Sequence, residues 1–438
     1  MKLARKTAAL TVFNVLTRCF AIGRELVVAW IFGVSSGIDA YVAAALVQTV
    51  VVSIIVSSYS ASVLPVYVKV LTADGEAAAG QLLAHILRSS LRVLCVVALG
   101  LALVGYPLLA LIFHSSAHGT AIGAYRILIV LLPIVIFAGL GSILSAVLNA
   151  NGHLFVPTLL SLTTPAVTIF SILLFSHQVG VVSIAAGFAI GQGLEMTMLL
   201  AKCHKLRLLP ARESTKPLHL RTVYQQALQM VPGAAILSAT AFVDNMMAAK
   251  TGAGGIALLA YGGRIVLALQ AVLYSALATS IFPALSQLCA QERWVEARST
   301  ILRYALIIGA ITCAGAAVFA LCSEWLVRVM YLRGNFTEAD AHTVTTIQRL
   351  YLLQFPFYLS SVVFVRAISS LHRNWVLGVG AVLGATVNIC GNLYLSKRIG
   401  LPGVPITGFL MNFTSACFLL AAVMSLLRRK IACPAPAA

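Results

Sequence analysis

Long runs of apolar residues, separated by short polar connectors, recur along the whole chain. A helix needs about 20 apolar residues to cross the hydrocarbon core of a bilayer. By this measure the pattern predicts about twelve membrane-spanning helices, and therefore an all-α, multi-pass membrane protein. The predicted segments are Ala8–Phe32, Asp39–Val68, Ile86–Phe113, Ile122–Ala150, Phe155–Phe175, Val179–Ala201, Tyr224–Ala249, Ile256–Leu285, Leu302–Met330, Val344–Ser370, Trp375–Leu395 and Val404–Leu427.

The composition leads to the same class of protein. Of the 438 residues, 60% are hydrophobic and 10% are charged, and the mean hydropathy is +0.98. A soluble domain carries about 25% charged residues, so soluble enzymes and disordered chains are excluded. The nine cysteines are scattered without a CxxC pair, which indicates neither a zinc site nor a disulfide framework. The basic N-terminus is interpreted as the start of the first membrane helix, because Arg18 and Arg24 interrupt its apolar stretch.

The positive charge of the chain predicts its orientation. The chain contains thirty Lys and Arg residues and twelve Asp and Glu residues, which gives a formal net charge of +18. Cytoplasmic loops of membrane proteins are enriched in Lys and Arg. If the N-terminus lies in the cytoplasm, the loops on the other side of the membrane contain few basic residues, mainly Lys250, Arg328, Arg333, Lys397 and Arg398. Both termini are therefore expected in the cytoplasm. No basic run interleaves with aromatic residues, so a nucleic-acid partner is not expected.

The two halves of the chain resemble each other. The stretch SASVLPVYVKV is similar to ATSIFPALSQL at an offset of about 218 residues, and VGVVSIAAGFAIG is similar to LPGVPITGFLMNF near an offset of 223. We expect two six-helix bundles, residues 1–215 and 216–438, related by a pseudo-two-fold axis along the membrane normal. Chance similarity between apolar helices is the alternative. Two bundles facing each other predict a transporter with its substrate site between them.

Several charged residues fall inside the apolar segments. A charge at membrane depth costs at least about 2.5–3.5 kcal/mol, so it marks a candidate functional position. A guanidinium group binds phosphate oxygens in a bidentate manner, which favours an anionic, diphosphate-bearing substrate. The alternatives are structural ion pairs and, for the acidic residue after SSGI, a helix cap. The candidates for substrate binding are Arg18, Arg24, Glu25, Asp39 and Arg264.

A second group of polar residues lies in the C-terminal half. Asn388 and Asn392 are four residues apart and therefore share one helix face. Together with Asp244 and Thr407 they offer carboxylate, amide and hydroxyl oxygens, which suit a hard cation such as sodium. Hydrogen bonding between helices is the alternative explanation.

The remaining buried charges and the motif search point away from catalysis. Glu195 and Arg366 are interpreted as residues that lie near the membrane interface or pair between helices. The chain contains no HExxH, no GxSxG and no phosphate-binding glycine loop, so we predict a protein that is not an enzyme. Without a nucleotide site, the energy for transport is expected from the membrane potential or a sodium gradient.

Three stretches resemble the MurJ/MviN lipid II flippase family of the multidrug/oligosaccharidyl-lipid/polysaccharide exporter superfamily. These are TRCFAIGRELVVAWIFGVSSGIDAY, LLAYGGRIVLALQAVLYSALATSIFPALSQ and MYLRGNFTEADAHTV. The resemblance covers about residues 5–427 and implies a flippase that moves a polyprenyl-diphosphate-linked glycan by alternating access. It also implies the bacterial inner membrane as the location of the protein and envelope-biosynthesis enzymes as its partners.

The resemblance also assigns roles to residues. It implies that Arg18, Arg24 and Arg264 hold the diphosphate and that Asp39 gates or pairs the cleft. Asp244, Asn388 and Asn392 fall where some members bind sodium. Thr407 stands one position early, with Gly408 in the expected place.

Two departures from the family pattern leave the substrate open. The run VQTVVVSIIVSSYS carries no charge where the family has a basic stretch, and about twelve spans are found where lipid II flippases have fourteen. A lipid II flippase, a flippase for an exopolysaccharide precursor, and a cation-coupled small-molecule exporter of the same superfamily are the alternatives.

Overall fold

The computed structural model describes residues 2–113, 118–208, 238–371 and 373–432, and this part of the chain is helical without β-strands. The predicted boundary between residues 215 and 216, and most of the predicted span Tyr224–Ala249, lie outside these residues. The helices are α1 (Lys2–Phe32), α2 (Ser36–Phe113), α3 (His118–Leu131), α4 (Pro133–Ala150), α5 (Phe155–Leu160), α6 (Thr163–Val179), α7 (Val182–Lys205), α8 (described over 238–249), α9 (Gly255–Ala290), α10 (Trp294–Tyr331), α11 (Glu338–Leu352), α12 (Phe355–Ser370), α13 (Trp375–Ile399) and α14 (Gly403–Ala432).

Ten segments of these helices are long and apolar enough to cross a membrane. Each coincides with one of the segments predicted from the hydrophobic pattern, which confirms a multi-pass, all-α membrane protein. The two predicted spans without a counterpart among the ten are the first, whose residues lie in α1, and the seventh, which contains α8.

The chain between the second and third predicted spans differs from the expectation of a polar connector. The structure continues as helix through this region, so that α2 runs from Ser36 to Phe113 with one break at Gly75, where φ is 84°. The sequence TADGEAAAG explains the result, because alanine and glutamate favour helix while a glycine is needed for the left-handed backbone. Both helical arms therefore extend beyond the apolar stretches.

The described chain divides into two compact units. Unit 1 contains Met1–Ser238 and Arg333–Phe336, and unit 2 contains Ala239–Leu332 and Thr337–Ala438. In unit 1, α2 packs on α3 and α4, and α7 packs on α4 and α6. In unit 2, α12 packs on α9, α10 and α14, while α13 packs mainly on α14.

Breaks in the backbone recur along the sequence. Residues with positive φ occur as the pairs Gly33 and Gly252, Gly75 and Glu292, and Gly180 and Gly400, which are 219, 217 and 220 positions apart. Both halves also have a helix that begins with proline at its first or second position after a short break, α4 and α12. This spacing supports the internal repeat predicted from the sequence.

Small residues bring the last two helices of each unit close together. A Cβ added at Gly191 of α7 would lie 2.8 Å from Thr164 Cα of α6. In the corresponding pair of unit 2, a Cβ added at Gly384 of α13 would lie 2.8 Å from Ser415 Oγ of α14. Close approach at small residues is the usual basis of helix packing in membranes, where lipid offers no hydrophobic driving force between helices.

The short segment Arg333–Phe336 caps α1. Asn335 donates from Nδ2 to the carbonyl of Ile31 (2.7 Å) and from its backbone N–H to the carbonyl of Trp30 (3.4 Å). These carbonyls belong to the last turn of α1, where a helix has no N–H groups of its own to offer. Gly334 fits against Trp30 with φ at 61°, and an added Cβ there would collide with the Trp30 carbonyl.

Candidate functional site

The first polar cluster is built on α1 of unit 1. Arg24 forms an ion pair with the adjacent Glu25, and both side chains are largely buried. The Arg24 guanidinium carbon lies 5.5 Å from the ring centroid of Phe188 in α7, within the range of a cation–π contact. Phe188 cannot be identified from the sequence, since nothing in an apolar helix marks one aromatic residue as the partner of a distant arginine.

Arg18 does not take part in that ion pair. It lies six residues before Arg24, about 9 Å along the axis of α1, and its side chain is exposed. It makes no hydrogen bond and no ion pair within the part of the chain that the structure describes. The alternative of a structural ion pair therefore applies to Arg24 and not to Arg18.

Asp39 lies in the first turn of α2 and is 3% exposed. The helix cap is Ser35 rather than Asp39, because Ser35 Oγ accepts the N–H of Ile38 at 3.4 Å. The backbone N–H of Asp39 donates to the Ser35 carbonyl at 3.0 Å, as expected for a residue already inside the helix. The carboxylate is placed where the positive end of the helix dipole favours a negative charge.

Arg264 belongs to unit 2 and is half-buried near the start of α9. The two glycines before it, Gly262 and Gly263, let α9 approach α11 closely. A Cβ at Gly263 would lie 3.2 Å from the ring of Tyr351, and one at Gly262 would press into Ile347. These contacts fix the position of Arg264 along α9.

The second polar cluster joins α8 to α13 within unit 2. Asp244 Oδ1 accepts hydrogen bonds from Asn388 Nδ2 (3.1 Å) and Asn392 Nδ2 (2.7 Å). The two asparagines are 1% and 0% exposed, and Asn388 Oδ1 is a buried oxygen without a hydrogen-bond partner among the described residues. The unsatisfied Asn388 oxygen therefore lies near Asp244, whose two hydrogen-bond donors in this cluster are uncharged amides.

Thr407 lies in α14 against α13. Its hydroxyl donates to the Gly403 carbonyl at 2.9 Å, and a Cβ at Gly391 would lie 2.8 Å from Thr407 Cγ2. The structure thus places Thr407 next to Gly391, the residue that precedes Asn392. Among the described residues, Thr407 and Asp244 form no hydrogen bond with each other.

The two other charged residues have different surroundings. Glu195 of α7 accepts a hydrogen bond from Thr164 of α6 at 2.7 Å, so it links two helices as predicted, with a hydroxyl as partner. Arg366 is half-buried in α12. Within the described ranges no three His, Cys, Asp or Glu residues form a metal-binding group, and the eight described cysteines form no disulfide.

The fold defines the class of protein first. A solved structure described as the inward-facing conformation of a multidrug resistance MATE family transporter of the MOP superfamily is 13% identical, covers 96% of each chain and has a TM-score of 0.80. A solved structure of the lipid II flippase MurJ in an inward closed conformation is 19% identical, covers 95% of this chain and 87% of its own, and has a TM-score of 0.77. The chain therefore has the fold of these membrane transporters.

The sequence decides between the two kinds of transporter. The profile of the family "Lipid II flippase MurJ" matches residues 28–435, so this chain belongs to the lipid II flippase MurJ family. A probable lipid II flippase MurJ from Aquifex aeolicus is 25% identical over 355 residues, which are 78% of this chain and 67% of the relative. The family predicted from the three motifs is confirmed, and the likeness to the exporters is one of fold alone.

Proposed function

We propose that this protein flips a polyprenyl-diphosphate-linked glycan, lipid II or a related exopolysaccharide precursor, from the cytoplasmic to the outer leaflet. The observation that carries the proposal is the match of the lipid II flippase family over residues 28–435, which spans both units. The substrate crosses the membrane by alternating access, and no covalent bond of the glycan is made or broken. The protein acts as a transporter and not as an enzyme.

In this proposal Arg18, Arg24 and Arg264 neutralise the diphosphate. Their guanidinium groups match phosphate oxygens, and the partial burial of Arg24 and Arg264 strengthens the attraction because their surroundings are less polar than water. Arg24 is held by Glu25 and Phe188, so it is oriented before the substrate arrives. The diphosphate replaces Glu25 as the acceptor, and Asp39 contributes to opening and closing the site.

A reconstituted leaflet assay tests this role. The fluorescent analogue of a polyprenyl-diphosphate glycan is placed in proteoliposomes, and its accessibility to an external quencher is followed over time. The double variant Arg24→Gln/Glu25→Gln keeps the pair neutral, and the control is Arg126→Gln, an exposed arginine of α3 in the same unit. We expect flipping to fall at least tenfold in the double variant only. Unchanged flipping in the double variant contradicts the proposal.

We also propose that sodium is the coupling ion and that Asp244, Asn388, Asn392 and Thr407 hold it. The unsatisfied Asn388 Oδ1 belongs to an amide that is hydrogen-bonded to the Asp244 carboxylate, and the Thr407 hydroxyl belongs to a side chain that packs at Gly391, one residue before Asn392. These are the oxygen ligands that a hard cation prefers. Bound sodium would supply one positive charge that balances Asp244. The polar residues on their own hold α8 against α13 through two hydrogen bonds.

Stability in different salts tests the sodium proposal without a transport assay. We expect the melting temperature of the purified protein to rise when potassium is replaced by sodium at constant ionic strength. The Asp244→Asn variant should lose this difference. Asn245→Ala is the matched control, because the Asn245 amide donates to the Ala241 carbonyl of its own helix at 2.9 Å. Equal melting temperatures of the wild type in both salts contradict sodium binding.

Both termini are proposed to lie in the cytoplasm, on the basis of the Lys and Arg distribution. A fluorescent protein that matures only in the cytoplasm, fused after the last residue, should be bright. An active periplasmic reporter fused at the same point would contradict this orientation.

A further inference from the structure

A cavity of about 320 Å³ lies inside unit 2, among α9, α10, α11 and α12. Its buried floor is formed by Leu352, Phe355 and Leu359 at the break between α11 and α12. None of the residues proposed for diphosphate or sodium binding lines it. A water molecule occupies about 30 Å³ in the liquid, so the cavity has room for about ten groups of the size of a water molecule.

The lining of the cavity excludes water. Apart from Thr312, it consists of aliphatic and aromatic side chains and one glycine. The Thr312 hydroxyl already donates to the Ile308 carbonyl at 2.6 Å, so it has no proton for a water molecule. A buried water needs two to four polar partners, which this cavity does not provide.

The cavity opens at the level of the middle of α10. Gly315 lies near the midpoint of this 38-residue helix, and a Cβ added there would meet no atom within 4 Å. Ile311, one turn earlier, is 66% exposed. Both residues border the exposed apolar face of α10, which also carries Leu321 and Trp325. The opening is therefore continuous with an exposed apolar face of a helix that is long and apolar enough to span the membrane, which is the kind of surface that bilayer hydrocarbon covers.

The cavity faces away from Arg264. Leu269, Leu273 and Leu277 are spaced four residues apart and line it from one face of α9. At about 100° per residue this face is rotated about 140–220° from Arg264. A lipid whose diphosphate is bound at Arg264 would have to pass around α9 to reach the cavity. Bilayer phospholipid reaches the opening directly.

The geometry points to a binding site for the end of a phospholipid acyl chain in this cavity, defined by Leu269, Ile311, Gly315, Leu352 and Leu359. The chain enters between Ile311 and Gly315 and fills the space between α10 and the break of α11 and α12. Filling the cavity restores contacts that the lining side chains lack when it is empty. The lipid thereby supports the packing of unit 2 around the helix break.

Photo-crosslinking in proteoliposomes tests the proposal. The probe is phosphatidylcholine with a diazirine at the end of one acyl chain, and the adducts are located by mass spectrometry of the peptides. In the wild type we expect adducts on Ile308–Phe319 and on the peptide that contains Leu352–Leu359. In Gly315→Leu, whose side chain occupies the cavity, these adducts should fall at least fivefold, while adducts on Leu321 and Trp325 persist. Gly315→Ala adds one carbon in open space and should give an intermediate decrease.

The control is Gly100→Leu, at a mid-helix glycine of α2 that also has no atom within 4 Å of an added Cβ. It should leave the adducts on unit 2 unchanged. Equal cavity adducts in the wild type and in Gly315→Leu overturn the proposal. A loss of cavity adducts on addition of equimolar unlabelled polyprenyl phosphate also overturns it, because the occupant would then be an isoprenoid chain.

Discussion

The polar clusters of the two units solve the problem of a buried charge in different ways. In unit 1, Arg24 and Glu25 are neighbours in one helix, and their opposite charges balance each other. In unit 2, the hydrogen-bond partners of Asp244 among the described residues are the neutral amides of Asn388 and Asn392, which lie 144 and 148 positions further along the chain. A pair of opposite charges within one helix has no net charge, and its arginine can exchange the carboxylate for another anion. A carboxylate among amides joins two helices and keeps a negative charge available for a cation.

The largest expected effect comes from breaking the charge pair of unit 1. Arg24→Met removes the arginine that forms the ion pair with the buried Glu25, and the loss of one member of a buried pair costs about 3–5 kcal/mol. The double variant Arg24→Met/Glu25→Leu should recover most of this stability, because a buried pair can be replaced by apolar residues at little cost. Unfolding in denaturing detergent measures both variants. A double variant as unstable as the single one would show that the pair itself stabilises unit 1.

Removing one amide from unit 2 should have a smaller effect. Asn392→Ala deletes the 2.7 Å hydrogen bond to Asp244, and a bond to a charged group contributes about 1.5–3 kcal/mol. The free energy of unfolding should fall by that amount in potassium. If the loss in Asn392→Ala matched that in Arg24→Met, the contrast between charged and neutral partners would be wrong.

The next comparison concerns the close helix pairs of the two units. Gly191→Ala forces its Cβ against the backbone of α6, and overpacking of this kind costs about 1–3 kcal/mol. A Cβ in Gly384→Ala presses on the Ser415 hydroxyl, which can rotate away, and makes an ordinary contact with Met411 Cγ at 3.4 Å. Its cost should therefore stay below about 1 kcal/mol. Thermal unfolding of the two variants side by side measures the difference. The reverse order would show that α13 and α14 are the more rigid pair.

The smallest expected effect lies at the helix caps. Thr337 caps α11 in unit 2 through a reciprocal capping box with Asp340, whereas Ser35 in unit 1 makes one long bond. Thr337→Ala should cost about 1 kcal/mol and Ser35→Ala about 0.5 kcal/mol. Hydrogen exchange of the first turn of each helix measures the two losses separately. Equal protection in both variants would contradict the ranking.

The helical spans were predictable because length and hydropathy act on each segment by itself. The ten apolar helices needed no knowledge of their neighbours. The proximity of Asn388 and Asn392 also followed from their spacing in one helix. The helical connector around Gly75 was not predicted, because hydropathy distinguishes polar from apolar residues but does not distinguish a helix in water from a loop.

The candidate site was predictable only in part. The charged residues stand out in apolar segments, and the family resemblance named their roles. The contact of Arg24 with Phe188 joins α1 to α7, and no pattern along either helix specifies it. The cavity lined by Gly315 and Leu359 depends on how side-chain volumes fit between four helices, which sequence periodicity does not report.

The cap on α1 has a consequence for biosynthesis. Asn335 lies 304 positions after Ile31 and donates its side-chain hydrogen bond to the Ile31 carbonyl. A ribosome adds about 5–20 residues per second, so roughly 15–60 seconds pass between the synthesis of the two residues. During that interval the nascent α1 ends in exposed carbonyls that only water or the insertion machinery can satisfy. The end of α1 thus reaches its native hydrogen bonding late in assembly. A truncated chain released before Asn335 is added lacks this cap.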